Sequence, residues 1–177
     1  MARYAIVPDQ STVWIETRSS LHPIHSVVRG VTGFVDVFLS GDGSLDLSRT
    51  PEGHVELEVD QVSSGNPLYD REMKRRAASR QHPTIAGDLS GIEPSGAGQG
   101  YTVRGTVTFK GVTREYEDTM TIVAREDMLV LEGAHTFDVR DFGLEPPKIM
   151  LLKVYPDVAV RVEIVAKEEA IGQGQRG

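Results

Sequence analysis

Apolar and polar residues alternate with period two along most of this chain. Val55, Leu57 and Val59 fall on one side of a strand, with Glu56 and Glu58 on the other. Val158, Val160, Val162 and Ile164 share a face opposite Arg161 and Glu163. "YTVRGTVTF" sets Val103, Val107 and Phe109 together, with Gly105 between them, and "STVWIETR" and "EDMLVLEGAHTFDV" repeat the pattern. One wet and one apolar face per strand is the mark of an antiparallel sheet. Roughly eight or nine such segments occur, separated by "SGDGS", "RTPEG", "PSGAGQG", "KGVT" and "EPP", a rhythm that predicts a sandwich or barrel. "TVTFKGVTREY" predicts a tight hairpin turning at or near Lys110-Gly111.

One stretch breaks the alternation. "NPLYDREMKRRAASRQHPTI" carries Arg71, Lys74, Arg75, Arg76 and Arg80 before Pro83. It predicts a short helix over about Asp70–Arg80. Asp70 is the expected N-cap, acid precedes base as the helix dipole favours, and Met73 and Ala77 share a face.

Composition narrows the picture. A chain of 177 residues, 39% hydrophobic, suits one domain with a sizeable core. The absence of cysteine excludes disulfides, a thiolate nucleophile and a thiolate metal site. A formal net charge of −7 argues against general nucleic-acid binding. No run approaches the length of a membrane-spanning helix, so stable membrane insertion is not expected. "MARYAIVPDQ" lacks a signal-peptide pattern, which makes the cytoplasm the expected location. Residues 1–168 read as one domain and 169–177, ending "IGQGQRG", as a flexible tail.

Candidate chemistry is sparse. His22 and His25 lie on opposite faces if "LHPIHS" is a strand, and His54, His82 and His135 are scattered, so no metal site is expected. No nucleophile elbow accompanies "HSVV". The acidic residues alternate with apolar ones and read as solvated strand faces. An enzyme built on His22, His25 or Asp141 would need several polar groups converging in one pocket, so no catalytic residue is expected.

Several stretches together resemble the YceI-like family, a lipocalin-like group of bacterial polyisoprenoid-binding proteins. In 101–117 the signature reads Tyr101, Gly105, Val107, Phe109, Lys110, Gly111, Val112, Thr113 and Arg114. "DFGL" (141–144), "HSVVRGVTGFVDV" (25–37), "DREMKRR…HPTIAGDL" and "VYPDVAVRVEIVA" follow the family's order over nearly the whole chain. The resemblance implies a single antiparallel β-barrel of about eight strands with the helix near its mouth. It implies non-catalytic binding of a polyisoprenoid or quinone-like lipid, tail inside, with no other cofactor. A homodimer is plausible on the same ground, since barrel relatives commonly pair. On this reading Phe34, Phe38, Phe109, Phe137, Phe142 and Leu152 contribute to the lumen, and Arg71, Lys74 and Arg75 lie near its mouth beside a headgroup. The alternative is a filled barrel serving as a stress-related protein-interaction module without a ligand.

Overall fold

The computed structural model describes residues 2–96, 100–149 and 151–170. Among these residues eleven strands form one antiparallel system: β1 (Ala2–Ile6), β2 (Thr12–Ser19), β3 (Ile24–Val28), β4 (Thr32–Val37), β5 (Glu52–Glu58), β6 (Thr84–Pro94), β7 (Gly100–Phe109), β8 (Val112–Arg125), β9 (Met128–Asp138), β10 (Lys148–Ile149) and β11 (Leu152–Glu168). The path β1-β4-β5-β6-β7-β8-β9-β11 closes through pairing of β11 with β1, giving an eight-stranded barrel. Closure removes the outer edges of an open sheet, which is how an all-β chain limits edge-to-edge association, and within the ring leaves β8 and β9 unpaired with each other beyond Met120↔Gly133.

Of the three remaining strands, β2 and β3 extend this ring and the short β10 pairs with β11. β1 and β2 lie end to end along β11, which pairs with β1 at Ala166–Glu168 and with β2 between Val154 and Glu163. A 3₁₀ turn at Pro8–Gln10 separates them. Ser11 bridges the break: its hydroxyl donates to the Val7 carbonyl at 2.9 Å and accepts from the Val165 amide at 3.1 Å. β3 and β4 run along β2 and β1 in the same broken fashion.

The period-two expectation holds inside the barrel. Val158, Val160, Val162 and Ile164 of β11 face inward, as do Val55 and Leu57 of β5 and Val103, Val107 and Phe109 of β7. The β7–β8 hairpin turns at Lys110-Gly111, with φ of +52° and +75°. Both central residues are left-handed, as the tight hairpin turn that matches strand twist requires. One end of the barrel is packed solid: Tyr4, Val28, Val31, Leu129 and Ala166 are all within 1% of complete burial. The other end is hollow and lies under the helix.

Helix α1 spans Pro67–Arg76, a turn earlier than its sequence suggests. Asn66, not Asp70, is the N-cap. Its side-chain oxygen accepts from the Leu68 and Tyr69 amides at 3.1 and 3.2 Å, and Pro67 takes the first helical position, where no N–H is needed. Asp70 instead anchors the preceding loop, accepting from the Ser64 hydroxyl at 2.6 Å and from its amide. The helix stops at Ala77 because Ala78 turns left-handed at φ +52°, well before Pro83. Met73 and Ala77 do share a face, packed against Val59 and Leu144. No helix among the described residues is long and apolar enough to cross a membrane. Of the expected tail, 171–177 lies outside the described residues, while Glu169 still donates its amide to the Arg3 carbonyl at 2.8 Å.

Candidate functional site: an apolar cavity beneath the helix

The inward side chains do not fill the barrel. A cavity of about 480 Å³ occupies the hollow end, lined by strand residues such as Val55, Leu57, Val107, Leu131 and Val160. Its roof is α1, which contributes Tyr69, Asp70, Met73 and Lys74, together with the C-cap residue Ala77. Such a volume lies within the usual range for small-molecule sites, about 300–1,000 Å³. Phe109, Phe137 and Phe142 meet on its wall around Tyr116, with Phe109–Phe142 ring centroids 5.8 Å apart and Tyr116–Phe137 at 4.8 Å. Phe142 is positioned by a 3₁₀ turn, Val139–Phe142, that ends at Gly143. Arg114 and Lys110 hold that turn by donating to the Asp141 and Gly143 carbonyls at 3.0 and 2.9 Å.

The other residues expected in the lumen are placed differently. Phe34 borders the cavity, but it pairs with Ala5 and His54, on the face opposite to inward Tyr4 and Val35. Its ring carries the Arg3 guanidinium at 4.0 Å. Phe38 lies beyond the end of β4, with the Arg49 guanidinium 4.5 Å over its ring, and does not line the cavity. Leu152 is also outside it, packed against Ile24, Tyr69 and Val154 beside the helix.

The basic residues of α1 are not gathered into one patch. Lys74 alone of the three expected at the mouth lines the cavity. Arg75 makes a two-pronged contact with Glu72 at 2.6 and 3.1 Å, and Arg76 joins the same carboxylate at 2.9 Å. The Arg75 and Arg76 hydrogen bonds hold the Glu72 carboxyl down at about 2. Arg76 also reaches the Glu145 carbonyl at 3.5 Å, so part of the basic run fastens the helix to the loop above the cavity. Arg71 is exposed and away from the cavity.

Two polar residues in the lumen read as solvated surface in the sequence. Asp118 and His135 occupy inward positions of β8 and β9, with His135 Nδ1 2.5 Å from Asp118 Oδ2. Burial pushes the Asp118 carboxyl up, but the hydrogen bonds from His135 and the Thr119 amide outweigh it and hold the group below its ordinary value. These residues face each other across a break in the wall. The β8–β9 ladder runs from Arg125↔Met128 to Met120↔Gly133 and stops. Beyond it, towards the helix, only side chains bridge the strands: Asp118 to His135 and Tyr116 to Phe137. On the outer surface beside the break lies a groove of about 470 Å³, lined by Trp14, Glu16 and Arg161, with the Arg161 guanidinium 3.9 Å over the Trp14 ring. Asp118, His135 and Val160 line both this groove and the inner cavity.

The Tyr116 hydroxyl is buried beside the break, and no group among the described residues hydrogen-bonds it. Burial, with Asp141 adding to it, pushes this phenol above its ordinary value. His22 and His25 do not converge on anything. His22 contacts the Pro23 carbonyl at 3.0 Å and His25 lies 3.6 Å from Glu16, both exposed. Among the described residues no group of three or more His, Asp or Glu could hold a metal ion.

A closed antiparallel barrel hollow at its helix-covered end has clear relatives. The YceI-like domain profile matches residues 4–166. The chain belongs to the YceI-like domain family. Its fold is similar to that of BcnA from Burkholderia cenocepacia (16% identity, TM-score 0.75, covering 92% of this chain and 99% of that one). It is also similar to a polyisoprenoid binding domain from Saccharophagus degradans implicated in plant cell wall breakdown (11% identity, TM-score 0.72, covering 94% and 98%). The Campylobacter jejuni YCEI protein is a third likeness (14% identity, TM-score 0.64, covering 82% and 85%). At these identities the likeness is one of fold. No curated protein sequence matches the chain significantly.

Proposed function

We propose that this YceI-like chain binds and carries a long hydrophobic or amphipathic small molecule, a polyisoprenoid or quinone-like lipid, inside its barrel and without catalysis. The observation that carries the reading is the apolar cavity of about 480 Å³ beneath α1. Burying one methylene there contributes about 0.8 kcal/mol, so a modest tail supplies substantial affinity without any polar contact. The Saccharophagus degradans neighbour, a polyisoprenoid binding domain, supports the same ligand class. A ligand-free interaction module would call for an interior packed to normal density at both ends, and here only one end is packed that way.

Native mass spectrometry of the protein as purified, followed by organic extraction, tests the proposal. A stoichiometric isoprenoid or quinone supports it. A bare mass, together with no uptake of added isoprenoid alcohols, overturns it. Phe109→Asp puts a charge on the cavity wall and should abolish uptake while far-UV circular dichroism remains that of a β-barrel. Unchanged uptake would remove Phe109 from the binding surface.

A further inference from the structure

We infer that the break between β8 and β9 is a headgroup subsite: Asp118 and His135 receive the polar end of the ligand, and that end is an uncharged hydrogen-bond donor, a long-chain alcohol. The inference rests on the lipid-carrier reading and names which polar chemistry the carrier selects. Three observations converge on the break.

First, the wall is open there. The Val112–Thr119 part of β8 and the Ala134–Asp138 part of β9 lie beyond the last ladder pair, Met120↔Gly133. Second, Asp118 and His135 border the inner cavity and the outer groove at once, with side-chain exposures of 45% and 29%. A molecule with its tail in the lumen can therefore present its polar end to this pair and still reach water. Third, the hydrogen-bonding capacity left at the pair is one-sided. A carboxylate can only accept, so in the neutral imidazole Nδ1 carries the proton given to Asp118 and Nε2 remains an acceptor. Asp118 accepts from the Thr119 amide at 2.7 Å through its other oxygen and keeps further lone pairs. The pair thus offers acceptors to a ligand. A hydroxyl satisfies them, an ether cannot, and a phosphate would set its own negative charge against Asp118.

The placement differs from the one the basic helix suggests. A phosphorylated lipid held by Lys74 would enter head-up beneath α1, whereas an alcohol held by His135 lies sideways in the wall. The two arrangements make opposite predictions for the same variants.

The test is calorimetric titration of the full chain with farnesol, its methyl ether and farnesyl monophosphate, which share one isoprenoid tail. Wild type should bind the alcohol about tenfold more tightly than the ether, the effect of one net hydrogen bond to a charged or polarised acceptor. His135→Phe keeps an aromatic ring against Tyr116 and Phe137 and should abolish the preference, leaving ether affinity within about twofold. Asp118→Asn removes the charge with little change of shape. It should lower alcohol affinity and raise that for the monophosphate. Lys74→Ala should leave the alcohol-over-ether preference intact. If alcohol and ether bind wild type equally, or if the preference survives His135→Phe, the subsite is refuted while the carrier stands. If monophosphate binds best and Lys74→Ala removes that advantage, the head belongs under the helix. If none of the three binds, the carrier reading and the subsite fall together.

Discussion

Removing a single oxygen should stabilise this protein. Tyr116 stands at the break between β8 and β9, its ring edge-on to Phe137 at 4.8 Å and to His135 at 5.2 Å, with Phe142 at 6.2 Å. These contacts involve the ring, and Tyr116→Phe keeps them. What the substitution deletes is a buried hydroxyl that no described residue hydrogen-bonds. Burying such a group without a partner costs about 1–3 kcal/mol, whereas in the unfolded chain water solvates it. The apo protein should therefore gain about 1–2 kcal/mol. For a domain of this size each kcal/mol moves Tm by about 2–4 °C, so an upward shift of about 2–8 °C is expected in scanning calorimetry. Urea unfolding should show a higher midpoint at unchanged m, since the surface exposed on unfolding hardly changes. A Tm lowered by more than about 2 °C would refute the reasoning. It would mean that the hydroxyl has a partner in solution and that the side chains bridging the break are arranged differently.

Three further outcomes follow from the same structure. Leu129→Ala empties a fully buried position in the packed end and should cost about 2–5 kcal/mol in urea unfolding without altering lipid affinity, because Leu129 is outside the cavity. Gly33→Ala should destabilise by about 3 kcal/mol or more, since φ there is +138° and a Cβ would lie 1.9 Å from the His54 carbonyl oxygen. The hydrogen bonds from His54 to Asp88 and then Glu56 raise the imidazole above its ordinary value. The contribution is therefore fully present below about pH 6.5 and lost as pH rises through the higher folded-state value, so the Tm difference between wild type and His54→Gln should shrink as pH is raised above that point.

The barrel was legible because its strands obey one period. Val158, Val160, Val162 and Ile164 could be assigned to one face without a structure, and Lys110-Gly111 marked its hairpin through turn chemistry. What misled was a change of phase. Ser26 and Val28 are buried on β3, and so are Val31 and Val37 after it, but the step from Val28 to Val31 is odd. The break near Gly30, with φ +79°, resets the alternation and turns Phe34 to the face opposite Val35, while Phe38 falls beyond the end of β4. Two glycines, Gly30 and Gly33, were the available signal. The helix start was displaced for a simpler reason. Asn66 and Asp70 both look like caps, and the Pro67 between them decides for Asn66. Asp118 and His135 gave no local signal, because a polar residue on an inward position looks like one on a strand whose faces are exchanged. Only the register of β7 with β8 and of β9 with β11 brings them together.

The uneven packing of the barrel bears on how it can both fold and hold a ligand. A hollow interior forfeits dispersion contacts and apolar burial, so an evenly hollow barrel of this length would be marginal. Here the two tasks are separated along the barrel axis. Tyr4, Val13, Val28, Val37 and Leu129 close one end, where the long strand β11 is shared between β9 on one side and β1 and β2 on the other. That end supplies stability without a ligand. The opposite end has a roof of one short helix, a 3₁₀ turn tied by Arg114 and Lys110, and a wall whose β8–β9 ladder stops short. Local opening draws on the least stabilised elements, and those elements surround the cavity. A tail entering the cavity replaces contacts that the hollow end lacks. Ligand binding should therefore protect the amides of α1 and of Val112–Thr119 from hydrogen exchange more than those around Leu129, because the first group belongs to the elements that open most easily, whereas the packed cluster meets the cavity through Ile6, Val13 and Ile164 and is already protected without a ligand.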